Sequence, residues 1–345
     1  MMSLELSIVT LIGCFIFSYL LSGNFIRLLT KKKIIAIPNS RSNHKSPTPL
    51  GGGLAIIISF FIGCIPFLFL YNDTVKPPLY IASALALLCV ISFRDDIKHV
   101  PAAIRLIAHF VAAIIGAFVV KHNGLIFKGI IDPDIEYIFI VLAIVTFINL
   151  FNFMDGIDGI TGAQVIYLGI AIALILSFLN NQSSYIYISL LLVACTFGFL
   201  IYNWHPARIF IGDAGSITIG YILSLLLLII AAKGAWVQAI ILPMYYFADA
   251  GYILLKRAIS LEKIWQAHSE HFFQRAVRAG RSHAEVVVKI IILNIILLNL
   301  SLGALHFKGE ILIECLFILC ALVGTIVTIN ILPIKIPLLD LKAKR

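Results

Sequence analysis

A chain of 345 residues that is 61% hydrophobic and only 12% charged carries more apolar surface than a soluble domain of that length could bury, so it belongs in a membrane. The net charge of +9 could point to nucleic acid, but the Lys and Arg are scattered through short loops without a basic groove or aromatic platforms, which excludes a nucleic-acid partner.

Hydropathy predicts an all-α, polytopic integral membrane protein with eleven spans, at approximately 4–28, 51–71, 79–94, 101–120, 136–152, 162–179, 185–203, 216–232, 235–255, 285–306 and 310–333. They form one domain over 1–345. The first apolar block, Leu6 to Leu21, has neither a basic start nor a small-x-small cleavage site and reads as a retained helix. Cys14, Cys64, Cys89, Cys195, Cys315 and Cys320 all fall inside apolar segments and read as packing residues.

An odd number of spans puts the termini on opposite sides, and loop charge decides which is which. With the N-terminus periplasmic and the C-terminus cytoplasmic, all but Lys76, Lys121, Lys128, Lys233 and Lys308 of the 26 basic residues lie on the cytoplasmic side. The cytoplasmic loops are then about 29–50, 95–100, 153–161, 204–215 and 256–284. Asp95, Asp96, Asp155, Asp158, Asp213, Glu262, Glu270, His44, His268 and His271 fall on that same face. A transporter would more often carry such groups at mid-membrane on broken helices, and neither a broken helix nor an inverted repeat is visible, so the pattern favours an enzyme at the inner surface.

The first polar motif is PNSRSNHKSPTPLGGG, residues 38–53. Its glycines permit close backbone approach and Lys45, near Arg41 and His44, could meet a phosphate, although a plain basic loop has the same composition. Asp95 and Asp96 close the third span pointing about 100° apart, so they do different work, one as base and one holding a metal or donor. Carboxylates at a helix C-terminus oppose the macrodipole and need a reason to be there. In NLFNFMDGIDG, residues 149–159, Asn149, Asn152, Asp155 and Asp158 recur every third position, which on a continuous helix scatters them around the axis. Gly156, Gly159 and Gly162 allow the helix to end near Asp155 and turn Asp158 back toward the same site. Asp213, in FIGDAGS, reads equally as an N-cap or as a hard-cation ligand at a helix start. His268, His271, Arg275 and Arg278 would share one face if their loop were helical, a face suited to a diphosphate, with zinc the weaker reading for His-x-x-His alone. His99, His109, His122, His205, His283 and His306 have no visible partner in the sequence.

HKSPTPLGGG, the acidic pair, NLFNFMDGIDGITG, FIGDAGS and HSEHFFQR, in that order, resemble the polyprenyl-phosphate N-acetylhexosamine-1-phosphate transferase superfamily, glycosyltransferase family 4, over nearly the whole chain. The resemblance implies transfer of a sugar-1-phosphate from a UDP-N-acetylhexosamine to undecaprenyl phosphate at the cytoplasmic face of a bacterial inner membrane, with release of UMP and a need for Mg2+, for which Mn2+ can substitute. By the same resemblance Asp213 is the magnesium ligand with Asn152 beside it, Asp155 and Asp158 belong to the nucleotide pocket, Phe210 stacks on uracil, and Lys45 meets the nucleotide-sugar or a phosphate, while Asn149 is read as substrate-binding. His268, His271 and Arg275 are similar to a diphosphate-contacting motif. Asp95 and Asp96 are read as the catalytic pair, Asp95 deprotonating or orienting the acceptor and Asp96 supporting metal or substrate. The histidine spacing is nearer the branch that initiates O-antigen or other surface polysaccharides, including enzymes of 6-deoxy-N-acetylhexosamines, than the peptidoglycan branch, with teichoic-acid synthesis a further alternative. DDIKH lacks the later acid of some members, so that residue's role does not transfer. The resemblance leaves open direct attack or an aspartyl intermediate, and neither requires nor excludes a homodimer.

Overall fold

The computed structural model describes residues 4–38, 43–44, 46–70, 76–179, 184–260 and 270–333. Lys45, His268, Arg41 and Glu262 lie outside them. The described chain is helical apart from one short ribbon: α1 (Leu4–Lys31), β1 (Ile35–Ala36), β2 (Thr48–Pro49), α2 (Gly53–Leu70), α3 (Lys76–Ile97), α4 (Ala102–His122), α5 (Pro133–Phe153), α6 (Ile160–Phe178), α7 (Ser184–Asn203), α8 (Gly212–Ala232), α9 (Trp236–Ile241), α10 (Met244–Ile259), α11 (Phe272–Arg278), α12 (His283–His306) and α13 (Ile311–Ile331).

Eight of these helices, α1, α4, α5, α6, α7, α8, α12 and α13, are long and apolar enough to cross a membrane. Eleven spans were expected, and these eight are the ones that length and composition support among the described residues. Helices α2 and α3 fall outside the eight. The predicted ninth span, 235–255, is two helices, because Pro243 lacks the amide that would continue α9 into α10. The run is therefore broken near its first third, a break that hydropathy does not show.

The axis of the bundle is α8. Its side chains are almost all buried, and it packs against α2, α3, α4, α5, α6 and α9. Such an all-round apolar helix is stable only when sheathed by others. By contrast, α1 and α13 leave most of their apolar residues exposed, as helices facing lipid do.

Three local features fix the polar end of the bundle. Helix α5 stops at Phe153 and α6 starts after Gly159 at φ 77°, a conformation that favours glycine, so residues 154–159 form a loop. Ile35 and Ala36 pair antiparallel with Pro49 and Thr48, and the strand end continues beside 210–211 through a parallel bridge between Leu50 and Phe210. The Gly52 amide donates to Phe210 O and the Gly53 amide to Ile211 O, both at 2.8 Å. Finally, α2 and α8 cross at their first turns with Gly53 against Gly215, where an added Cβ on Gly53 would stand 2.3 Å from the Gly215 Cα.

Candidate active site

The loops so placed enclose a cavity of about 230 Å³ lined by His44, Leu50, Asp155, Gly156, Ile157, Asp158, Asn203, Phe210, Ile211, Asp213 and His283. Phe210 forms one wall, with the His44 ring edge-on to it at 4.9 Å between centroids. Asn43 Nδ2 donates to Gly156 O at 3.0 Å, tying the chain beside His44 to the α5–α6 loop.

Behind this wall the acids are distributed by backbone geometry. Asp96 accepts from the Asp213 amide at 2.8 Å and the Ala214 amide at 3.1 Å, so it caps the first turn of α8. That gives a reason for its position at the end of α3: it sits against the positive end of a second helix. Asp213 is accordingly inside the first turn of α8 and is not its N-cap. Its carboxylate meets the Asn152 amide and lies beside that of Asp95. Asn152 Oδ1 accepts from the Ser216 hydroxyl at 2.6 Å, which fixes the amide orientation. Arg105 Nη1 bridges the acids, 2.8 Å from Asp95 Oδ2 and 3.3 Å from Asp213 Oδ2. The other Asp95 oxygen accepts from the Val100 amide at 2.6 Å.

Asp155 and Asp158, three residues apart, have opposite surroundings. Burial pushes the Asp155 carboxyl up to about 7, against a hydrogen bond from Thr161 and helped by the charges of Asp213 and Asp158. Thr161 Oγ1 donates to Asp155 Oδ1 at 2.6 Å. Burial would raise Asp158 as well, but His283, His205 and the Ala207 amide bring it down to about 2. His205 Nδ1 lies 2.7 Å from Asp158 Oδ2 and the Ala207 amide donates to the same oxygen at 3.1 Å. His283 Nδ1 lies 3.2 Å from Oδ1.

The remaining expected residues divide. Asn149 does not reach the cavity: its Nδ2 donates to Val145 O within α5, and its side chain meets His109. The basic stripe is not one helical face, because α11 begins only at Phe272 and His271 is its non-helical N-cap. His271 Nδ1 instead meets buried Asp249 Oδ1 at 3.0 Å, and Asp249 also accepts from the Phe272 amide and the Tyr245 hydroxyl. The Arg275 guanidinium lies over the Phe272 ring at 5.2 Å.

Sequence reasoning missed His205, His283, Arg105 and Asp249. Arg105 had a signal, being a cation on the first turns of an apolar helix just after the acidic pair; the others pair with residues too distant in the chain to be seen.

Two donor sets beside the cavity suit a divalent cation. Asp158, His205 and His283 bring one ligand atom each within 4.8 Å of one another and could coordinate one, with a preference for ions that accept imidazole. Asp213, Asn152 and Asp155 are oxygen donors, as Mg2+ prefers.

A family profile described as glycosyl transferase family 4 matches residues 78–231, the segment from α3 to the end of α8 that supplies most of these groups. The chain is a polytopic membrane member of the polyprenyl-phosphate sugar-1-phosphate transferase superfamily. Within that superfamily it is 26% identical over 311 residues to a probable undecaprenyl-phosphate N-acetylglucosaminyl 1-phosphate transferase of Bacillus subtilis, covering 86% of this chain and 84% of that one. It is 27% identical over 316 residues to a phospho-N-acetylmuramoyl-pentapeptide-transferase of a Wolbachia species, covering 82% of this chain and 94% of that one.

Proposed function

We propose that the protein transfers an N-acetylhexosamine-1-phosphate, or its 6-deoxy counterpart, from the UDP-sugar to undecaprenyl phosphate, releasing UMP, as the first membrane step of O-antigen or another surface polysaccharide. The observation that carries this reading is that Asp155, Asp158, Phe210 and Asp213 line one cavity while Asp95 and Asp96 from α3, Arg105 from α4 and Asn152 from α5 gather on Asp213 behind it. The site opens on the cytoplasmic face, in a fold of eleven membrane crossings with α2, α3 and the broken α9–α10 pair added to the eight long helices.

The chemical difficulty is that both substrates are anions. The acceptor phosphate oxygen attacks the β-phosphorus of the donor, a new phosphorus–oxygen bond forms, and the bond to the UMP oxygen breaks with its electron pair leaving on UMP. Mg2+, held by Asp213 and Asn152 with Asp155 near, would supply charge neutralisation for the transferring group. Arg105 adds a cation at the same place, and Asp95 orients it. Asp96 sets the start of α8 and hence the direction of Asp213. Asp155 Oδ2 takes no hydrogen bond among the described residues, so this acid is better placed than Asp95 to receive a proton from the acceptor or to face the metal. Phe210 offers a flat apolar face to uracil, with His44 beside it. With both oxygens of Asp96 occupied by amides and both of Asp95 engaged, direct attack is favoured over an aspartyl intermediate.

The test is incubation of purified protein with undecaprenyl phosphate, Mg2+ and a panel of UDP-N-acetylhexosamines that includes UDP-N-acetylmuramoyl-pentapeptide. UMP release from a UDP-N-acetylhexosamine, abolished by EDTA, is expected. Release from the pentapeptide donor alone moves the protein to the peptidoglycan branch, and none from any donor overturns the reading.

A further inference from the structure

Asp158 lines the cavity, yet its carboxylate is turned to the protein. Oδ2 takes His205 and the Ala207 amide, and Oδ1 faces His283. The two imidazoles arrive from different parts of the fold, His205 from the segment after α7 and His283 from the first residue of α12, and their rings lie 4.8 Å apart. His283 Nδ1 is 3.2 Å from the Asp158 amide nitrogen as well as 3.2 Å from Oδ1. Donation to the carboxylate and acceptance from the amide belong to different tautomers, and in either one the ring is tied to residue 158 through Nδ1.

Ala207 stands three residues before Phe210, and the stretch between them is fastened at both ends. Asp158 holds the Ala207 amide at one end. At the other, the Phe210 amide donates to Pro49 O and Phe210 O accepts from the Gly52 amide, both at 2.8 Å. The aromatic wall of the cavity is therefore set partly from α12, through one carboxylate.

We propose that His283 is a positioning residue of the transfer reaction: through Asp158 it fixes residues 205–210 and so the face that Phe210 presents to the donor nucleotide. This rests on the function proposed above.

Asn and Gln variants separate positioning from direct contact, because an Asn amide reproduces the place of Nδ1 and a Gln amide that of Nε2. H283A should raise KM for the UDP-sugar about tenfold, the scale of one lost hydrogen-bonded anchor, with kcat within about threefold. H283N should recover most of that loss and H283Q little. Hydrogen exchange of the 204–211 amides should quicken about tenfold in H283A without any ligand, a readout that needs no turnover. Unchanged KM and unchanged exchange would overturn the proposal, as would rescue by Gln and not Asn, which would make Nε2 a ligand contact. A transition metal found by elemental analysis in the wild type and lost in H283A would also overturn it, in favour of a metal-holding role. Should H283A fail to fold, the Asn and Gln variants decide alone. A wild type that transfers nothing fails the function reading, while the exchange measurement still decides the positioning.

Discussion

Asp155 and Asp158 show how two identical side chains in one short loop come to do different work. In Asp155, burial and the nearby carboxylates hold the carboxyl up at about 7, so the native state keeps a proton that the unfolded chain has lost. The stabilisation from that proton is complete below the ordinary carboxyl range, near 4, and is lost as pH rises through about 7. Without divalent metal, the wild-type melting temperature should fall between about pH 5 and pH 8, and Asp155→Asn should flatten the fall. Parallel curves for the two proteins would rule the assignment out. Asp158 has the opposite sign: its contribution is present above the ordinary range and lost only as pH falls toward about 2, outside that window. The sequence shows both acids beside glycines and makes them equal. What separates them is His205, 47 residues away, and His283, 125 residues away, and no local pattern carries such a pairing.

Among the elements, the crossing of α2 and α8 converts a glycine run into site geometry. Gly53 and Gly215 let the two backbones touch, and Gly52 and Gly53 hydrogen-bond to residues 210 and 211. Gly53→Ala would force the helices apart, with an expected cost of about 1–3 kcal/mol and a matching loss of melting temperature. Transfer should fall further than stability does, because Phe210 and Asp213 ride on the displaced segment. Thermal melts and UMP release on the same preparation check this, and a fully active G53A with wild-type melting would refute it. That the glycines permit close approach was legible in the sequence; that their neighbour is backbone of α8 was not. The end of α5 was legible too, because four polar residues at every third position cannot share one helical face. The break between α9 and α10 was hidden, since Pro243 lies within an apolar run that hydropathy reads as continuous.

For the whole molecule, composition alone assigned the membrane, since no soluble arrangement buries so much apolar surface. The number of crossings was less legible: windowed hydropathy counts apolar runs, whereas the 235–255 run is broken into two helices. Orientation rests on loop charge, and it makes a direct prediction. A cysteine placed at Lys128 should react with a membrane-impermeant thiol reagent in intact cells, and one at Arg278 only after the membrane is opened. The reverse labelling would invert the topology and move the cavity to the outer face.

The pairing of Asp96 with the start of α8 also has an order in time. A chain made from its N-terminus lays down α3 with its acidic end well before residues 213 and 214 exist to receive it, 117 and 118 positions later. Until then Asp96 lacks the helix end that stabilises it, and water or lipid headgroups must solvate its charge. The arrival of α8, the most enclosed helix of the bundle, is what brings two backbone amides to the waiting carboxylate, so the acidic end of α3 joins the site only once the centre of the bundle is filled.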